Sequence, residues 1–428
     1  MISLSIDDNF VWREVSPGMW QRDADEAEVF YSSLVKQYAG SGRMHFAITG
    51  HVSLAIPVTE GQDVDTVTSK FDVALRTAWL RLRHQLPSIG SQVHFDSHEQ
   101  KWKKSYQTVS DDGACSSWLD KTFRSVSSDQ TGVEWAISDP SAPELATLFI
   151  TVVPASSGSP ARRDVVLRSP HDIIDGIGTL QLLNAFLHHV SEAFSEELPA
   201  QLAFCDGLEA ERLSTPYHVA AAVPPVPTPE QQGKQGVAHA IPTGRASKLL
   251  ATLNPVGATP YHDFHTAIVM AVRDLHTESL SAALAAGTQV EYIKHIVHNG
   301  SPRWQSPFSG LDHPAAVYNS ICGIKLDATM LTAVLNNVSA RQQELLDILA
   351  QMRQFYHSLR EDKDHLALAP YIWAAATPSL TLPQSEKDGR NVLAPLPNSK
   401  PSVSLSSMGL VDKLNARALA MWRPTIPA

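Results

Sequence analysis

The chain has 428 residues, of which 43% are hydrophobic and 18% charged, and its formal net charge is −10. This composition excludes a disordered or fibrous protein, and the negative charge argues against general attraction to nucleic acid or to an anionic membrane. The sequence contains no uninterrupted apolar stretch of about eighteen residues, which would be needed to span a membrane.

The first half of the chain alternates predicted strands and helices. Residues 1–40 are expected to mix short helical stretches with polar turns. Strands are predicted at residues 44–57, 92–95, 105–109, 145–154 and 164–168, and helices at residues 64–86 and 114–126. The alternation predicts a mixed sheet with helices packed against it.

A short loop after the strand at 164–168 carries the residues best suited to catalysis. Pro170 cannot donate a hydrogen bond to a sheet, so the strand is expected to end there. His171 follows and is able to transfer a proton near neutral pH. Asp175 is expected to fix the loop by ion pairing, and Gly176 to allow backbone geometry that other residues resist. An amphipathic helix comes next, with apolar positions at Leu180, Leu183, Leu187, Val190 and Phe194.

A segment rich in proline, glycine and glutamine at residues 214–236 predicts a boundary in the middle of the chain. We therefore expect an N-terminal lobe at 1–213, a crossover linker at 214–240 and a C-terminal lobe at 241–428. The second half repeats the alternation. Helices are predicted at residues 245–253, 263–274 and 333–359, and strands at residues 289–298, 317–326 and 403–406.

Cysteine usage and the start of the sequence indicate a cellular compartment. The three cysteines, Cys115, Cys205 and Cys322, are widely spaced and odd in number, as expected of buried thiols in a reducing compartment. The first ten residues contain two aspartates and no basic residue, so no secretion signal is expected. A cytoplasmic protein is therefore expected.

The spacing His171-x-x-x-Asp175-Gly176 resembles the H-x-x-x-D-G signature of the coenzyme-A-dependent acyltransferase superfamily. That superfamily includes chloramphenicol acetyltransferase, the plant BAHD enzymes, peptide-synthetase condensation domains and the fungal trichothecene O-acetyltransferases. The resemblance implies an α/β protein with the two-lobe chloramphenicol-acetyltransferase-like fold. Each lobe would be a mixed β-sheet with helices, and an active-site tunnel would run between the lobes.

The resemblance also implies roles for individual residues. His171 would act as the general base that deprotonates an acceptor hydroxyl as it attacks a thioester. Asp175 would turn away from the substrate and pair with an arginine, for which Arg303 is the best candidate. Asn319 is a weaker candidate for the wall of the tunnel.

A late segment, Ser406-Ser407-Met408-Gly409, is similar to the S-S-x-G segment of fungal O-acetyltransferases and alcohol acetyltransferases. The hydroxyl of Ser406 or Ser407, or a backbone N–H there, would donate to the tetrahedral oxyanion. The same segment is equally consistent with a strand that ends in a turn of small residues and has no catalytic role.

Two departures narrow the resemblance. Pro170 precedes His171 where condensation domains carry a second histidine, which argues against amide-forming chemistry. The D-F-G-W-G motif of the plant enzymes is absent. The pattern is therefore closest to the fungal trichothecene type. It implies acetyl-CoA as co-substrate, no resident cofactor or metal, a monomer, and a hydroxylated apolar metabolite as acceptor.

Other charged residues give weaker signals. Asp172 is expected to cap the loop or to face solvent. Basic residues cluster at Lys101, Lys103 and Lys104 and at Arg162 and Arg163, and such short runs are typical of solvated turns. No residue is therefore assigned to the phosphates of coenzyme A.

Two alternative functions remain open. A member of the same fold could catalyse condensation or cyclisation of a polyketide or terpenoid intermediate without coenzyme A. A non-catalytic binding protein is the other alternative, and the intact motif argues against it. The sequence has no nucleophile elbow, P-loop or dinucleotide-binding motif. This excludes an ordinary serine hydrolase, a nucleotide hydrolase and a dinucleotide-dependent oxidoreductase.

Overall fold

The structure is a computed structural model, and it describes most of the first half of the chain and parts of the second half. The described residues are 8–37, 47–58, 61–127, 129–138, 140, 143–153, 161–196, 208–220, 243–276, 285–289, 292–295, 315–322, 325–329, 338–361 and 365–377. The strand predicted at 403–406 lies outside these ranges.

Helices and strands alternate along the described chain. The helices are α1 (Glu26–Gln37), α2 (Val64–Gln85), α3 (Asp112–Thr122), α4 (Gly132–Ile137), α5 (Gly176–Ser195), α6 (Tyr217–Ala220), α7 (Thr243–Leu253), α8 (Pro260–His276), α9 (Val338–Glu361) and α10 (His365–Ala376). The strands are β1 (Arg13–Ser16), β2 (Met19–Asp23), β3 (Ala47–Ile56), β4 (Ser91–Asp96), β5 (Lys101–Gln107), β6 (Phe123–Val126), β7 (Thr147–Val153), β8 (Ala161–Pro170), β9 (Ala285–Gln289), β10 (Tyr292–His295), β11 (Asn319–Cys322) and β12 (Lys325–Thr329). Among these described helices, none combines the length and the hydropathy that crossing a membrane requires.

Two four-stranded sheets organise the first half. One has the order β1-β2-β5-β4 and is antiparallel throughout. The other has the order β3-β8-β7-β6, in which β8 is antiparallel to both neighbours and β6 runs parallel to β7. In the second half, β9 pairs with β12 and β10 with β11. The predicted mixed sheet with packed helices is confirmed.

Two predictions about local structure are wrong. The helix predicted at 114–126 ends at Thr122, because Phe123–Val126 form β6 and pair with Leu148 to Thr151 of β7. Residues 1–40 were expected to lack strands, but 13–23 form the β1–β2 hairpin, which is completed by pairing with β5. The partners β7 of β6 and β5 of β2 come later in the chain, so the local pattern contains no sign of them, whereas β1 and β2 are joined by a local turn.

The beginning of the predicted linker packs against the first half of the chain. The N–H of Ser214 donates to Ser88 Oγ at 2.7 Å, and the N–H of Tyr217 donates to Asp25 Oδ2 at 2.6 Å. Ser214 and Tyr217 are both buried. Residues 221–240 lie outside the described ranges, so the lobe and linker boundaries at 213/214 and 240/241 stay predictions.

The largest core cluster holds β8 and α5 together. Val165 and Leu167 of β8 are fully buried among apolar side chains of the two longest helices in this half. The contributing helix residues are Phe71, Leu75, Trp79 and Leu82 of α2, and Leu182, Leu183, Phe186 and Val190 of α5. Packing on this scale fixes the strand and the helix relative to each other. The loop between them is therefore anchored at both ends.

Gly50 allows this close approach of α5 to the sheet. A Cβ atom at position 50 would lie 2.7 Å from Thr179 Cγ2 and 2.8 Å from Leu183 Cδ1. We expect Gly50→Val to lower the free energy of unfolding by about 1–3 kcal/mol, because α5 must shift to admit the side chain. Urea denaturation measures this change. Thr49→Val, on the exposed side of β3, is the matched control, and an equal effect of the two substitutions would contradict the explanation.

Candidate active site

His171 lies immediately beyond the end of β8. Pro170 is the last residue of that strand and lies opposite Ala47 of β3. The chain then turns tightly, with the N–H of Ile173 donating to the carbonyl oxygen of Pro170 at 3.2 Å. The predicted end of the strand at Pro170 is confirmed. His171 is therefore held at the rim of a sheet rather than on a long loop.

Asp175 ends the loop by capping α5. Its Oδ1 accepts a hydrogen bond from the N–H of Gly178 at 2.8 Å, and its backbone oxygen accepts from the N–H of Thr179 at 2.9 Å. The residue has an extended backbone, with φ −98° and ψ 179°, as expected of an N-cap. Gly176 is the first residue of the helix, and the described glycines with positive φ are elsewhere, at Gly18, Gly61 and Gly257. The special backbone geometry expected of Gly176 is therefore wrong, since Asp175 makes the turn.

Asp175 also joins the loop to the second half of the chain. Its Oδ2 accepts a hydrogen bond from the N–H of Tyr318 at 3.0 Å, and its own N–H donates to the carbonyl oxygen of Ala316 at 3.2 Å. The side chains of Asp175, Ala316 and Tyr318 are all buried. The Asp175 carboxylate thus accepts hydrogen bonds from the backbone N–H groups of Gly178 and Tyr318, which are about 140 residues apart in the sequence.

The imidazole of His171 stacks on an aromatic ring from α1. Its centroid lies 3.7 Å from that of Tyr31, with 7° between the two planes. Tyr31 in turn packs against Phe30 of α1 and Trp373 of α10, at centroid distances of 5.2 and 5.5 Å. This buried aromatic group restricts the plane in which the imidazole lies. Tyr31 could not be recognised from the sequence, because helix α1 precedes the motif by more than a hundred residues.

The surroundings of His171 favour the neutral imidazole. Burial lowers the pKa of His171 to about 4, and the residue's own backbone and then the Asp175 carboxylate oppose this effect only in part. Nδ1 is enclosed and makes no hydrogen bond within the described part of the chain. A neutral imidazole has a lone pair that can accept a proton, so the residue is ready to act as a base throughout the neutral pH range.

A buried charge cluster lies behind the loop, made of Arg22, Asp25, Glu28, Lys104 and Asp172. Arg22 binds Glu28 with two hydrogen bonds of 2.8 Å, and Lys104 Nζ lies 2.6 Å from Glu28 Oε1. Burial raises the pKa of Glu28, but Arg22 and Lys104 outweigh it and lower that pKa to about 2. Glu28 is therefore ionised at physiological pH and joins the two cations.

The solvation predicted for two groups of polar residues is wrong. Lys104 and Arg163 belong to β5 and β8 and are buried, whereas solvated turns were expected. Arg163 pairs with Asp72 of α2 at 2.8 Å. Asp172 does not face solvent, because only 6% of it is exposed. Lys104 and Arg163 are buried because their strands pair within a sheet and pack against helices. A short run of basic residues in the sequence does not reveal such pairing.

Of the four remaining residues implied by the resemblance, Asn319 alone belongs to the described part of the chain. Arg303, Ser406 and Ser407 lie outside the described residues. Asn319 is the first residue of β11, where it lies opposite His295 of β10. It directly follows Tyr318, whose N–H binds Asp175, so its backbone is near the loop.

Comparison with known proteins identifies the fold. No protein-family model matches the sequence. The solved structure of the trichothecene 15-O-acetyltransferase of Fusarium sporotrichioides superposes with a TM-score of 0.63 over 86% of this chain and 78% of that protein, at 14% identity. The chain has the two-lobe chloramphenicol-acetyltransferase-like fold. This confirms the fold implied by the H-x-x-x-D-G motif.

Two proteins of Monascus ruber are similar to this chain in sequence. The acetyltransferase pigO is 27% identical over 222 residues, covering 51% of this chain and 42% of pigO. The O-acetyltransferase pigM is 25% identical over 427 residues, covering 94% of this chain and 74% of pigM. The chain thus spans less than half of the first relative and about three quarters of the second.

Proposed function

We propose that this protein transfers an acetyl group from acetyl-CoA to a hydroxyl group of an apolar secondary metabolite. The observation that carries the proposal is the neutral, stacked imidazole of His171 at the end of β8, in a loop that Asp175 ties to two other segments. The similar proteins support it, because their names are those of acetyltransferases and one is an O-acetyltransferase of a fungal trichothecene.

In the proposed reaction His171 is the general base. Because Nδ1 is enclosed, Nε2 accepts the proton of the acceptor hydroxyl as its oxygen attacks the thioester carbonyl. A C–O bond forms and the carbonyl becomes a tetrahedral oxyanion. When the C–S bond breaks, the imidazolium returns the proton to the sulfur of coenzyme A. No acyl-enzyme is needed, since both substrates meet beside one imidazole.

The remaining implied residues complete the proposal. Ser406 or Ser407 would donate a hydrogen bond to the oxyanion, and Arg303 would pair with Asp175. Asn319 would line the tunnel. Asp175 is oriented by backbone N–H groups, which is consistent with a structural role and not with contact to the substrate.

Calorimetric titration of the full chain with acetyl-CoA tests the proposal, with ATP as a control for general binding of an anionic nucleotide. We expect saturable binding of acetyl-CoA and none of ATP at the same concentration. Incubation with acetyl-CoA and a panel of terpenoid, steroid and polyketide alcohols should then yield an ester, detected by mass spectrometry. A folded protein that does not bind acetyl-CoA would overturn the proposal and favour condensation or cyclisation without coenzyme A.

A further inference from the structure

Two neighbouring residues of α1 contact two neighbouring residues of the His171 loop. The ring of Tyr31 stacks on the imidazole of His171, and the hydroxyl of Ser32 donates to Asp172 Oδ2 at 2.6 Å. We name these four residues the α1 clamp. Two adjacent contacts of this kind fix both the position of the loop and the plane of the imidazole, which a single contact would leave free to rotate.

Asp172 is the unusual member of the α1 clamp. Its carboxyl group is buried, and its Oδ1 makes no hydrogen bond among the described residues. A buried carboxylate with one unpaired oxygen is costly, since the charged form is poorly solvated there. A neutral asparagine or serine at position 172 would make the same contact with Ser32 at a lower desolvation cost, but the residue there is an aspartate.

Two charged groups face Asp172, and two more lie behind them. Lys104 of β5 donates to the backbone oxygen of Asp172 at 3.3 Å, and Glu28 of α1 lies on the other side of the same ammonium group at 2.6 Å. Arg22 of β2 binds Glu28, and Asp25 precedes α1. The buried charge cluster therefore contains two cations and three carboxyl groups, so one carboxyl group lacks a matching cation.

The unmatched charge makes Asp172 easy to protonate. Burial, assisted by Glu28, raises the pKa of Asp172 to about 6, although Ser32 and Lys104 oppose the change. Burial, and next the charge of Glu28, also raise the pKa of Asp25 to about 6. Asp25, however, accepts hydrogen bonds from the backbone N–H groups of Glu28 and Tyr217 and does not contact the loop. Among these carboxyl groups, Asp172 is the one whose charge changes beside His171.

We propose that Asp172 is a positioning residue, and that its protonation rather than that of His171 limits acyl transfer on the acid side. The inference rests on the proposed function of His171. An ionised Asp172 makes a charge-assisted hydrogen bond with Ser32 and attracts Lys104, so the α1 clamp is tight. Protonation weakens both interactions, and the imidazole loses its fixed orientation towards the acceptor.

The dependence of kcat on pH is the first test, with acetyl-CoA and an alcohol acceptor found in the screen. For the wild type we expect kcat to fall as the pH decreases through about 6, whereas protonation of His171 alone would place the fall near pH 4. Asp172→Asn resembles the protonated state at every pH. It should lower kcat about tenfold at pH 7.5, leave KM for acetyl-CoA unchanged, and remove the fall near pH 6.

Two further measurements do not require acyl transfer. Since folding raises the pKa of Asp172 from 3.8 to about 6, its ionisation destabilises the fold, and this cost grows as the pH rises from about 4 to about 6 and stays constant above. We therefore expect Asp172→Asn to raise the Tm at pH 7.5 by about 3–6 °C and at pH 5 by roughly half as much, because the cost of ionisation is only partly developed there. The rate at which diethyl pyrocarbonate modifies His171, followed by peptide mass spectrometry, should rise severalfold in the variant at pH 7.5 and match the wild type at pH 5.

Asp263→Asn is the matched control, because burial also raises the pKa of this half-buried carboxyl group, but it lies on α8. It should change neither kcat nor the modification of His171. The proposal is overturned if Asp172→Asn keeps the wild-type pH profile and modification rate. It is also overturned if the variant lowers the Tm equally at both pH values, which would indicate a purely structural role. If the wild type transfers no acetyl group, the proposed function fails, and the Tm and modification rates still decide whether the α1 clamp responds to Asp172.

Discussion

Replacing His171 with glutamine is expected to lower kcat for acetyl transfer about 1,000-fold. The substitution removes the group that accepts the proton of the acceptor hydroxyl, and general-base catalysis contributes on the order of 100- to 10,000-fold. Binding of acetyl-CoA should change less than about threefold, because the base acts in the transition state and not in the ground state. Steady-state kinetics and calorimetry on the same preparations separate the two effects.

His189→Gln is the control for the loss of a histidine. His189 lies on the same helix, α5, and its ring contacts Gln85 and Glu192 at 2.8 and 3.0 Å, away from the loop. It should retain full activity. If His171→Gln keeps more than about a tenth of the wild-type kcat, His171 is not the general base, since that loss would lie below the usual range for one.

Replacing Asp175 with alanine is expected to lower the free energy of unfolding by about 3–5 kcal/mol. The N–H groups of Gly178 and Tyr318 would both lose their acceptor inside the protein, and an unsatisfied buried donor costs about 1–3 kcal/mol. Urea denaturation gives the value. Asp175→Asn should cost less, because its one carbonyl oxygen can still cap α5 while its amide group cannot accept from Tyr318.

Asp63→Ala is the matched control for the Asp175 substitution. Asp63 caps α2 in the same way, through the N–H of Thr66 at 3.0 Å, but it is exposed and joins no second segment. Its removal should cost about 1 kcal/mol, as for an ordinary N-cap. Equal losses at the two positions would show that the contact between Asp175 and Tyr318 contributes nothing to stability.

Asp175 illustrates how far a motif can be interpreted from the sequence. The resemblance implies an ion pair with Arg303, a residue that lies outside the described structure. The described structure shows that backbone N–H groups hold both carboxylate oxygens. An N-cap at the start of a helix could have been predicted from the sequence, since aspartate before an apolar-periodic stretch is a usual N-terminal signal. The contact with Tyr318 could not, because its partner is 143 residues away.

Lysines 101, 103 and 104 show the same limit within a single strand. Their side chains are 50%, 11% and 0% exposed, although the three residues lie within four positions of one another. Alternation places Lys103 and Lys104 on opposite faces of β5, yet both are buried. Lys103 is enclosed beside Asp23 and Glu99, and Lys104 is enclosed beside Glu28. From the run of charged residues alone, all three side chains would be predicted to be solvated.

The sequence by itself determined the elements whose signals are local: the strand that ends at Pro170, the loop with His171 and Asp175, and the amphipathic helices α2 and α5 that pack against the sheet. Such signals persist because a hydrophobic period or a cap involves residues at most four apart. Only the tertiary structure decided that Tyr31 and Ser32 hold the loop, that Lys104 and Glu28 lie behind it, and that Tyr318 binds Asp175. These contacts join residues from about 70 to about 140 positions apart, and they arise from how whole elements pack, which no short stretch of sequence encodes.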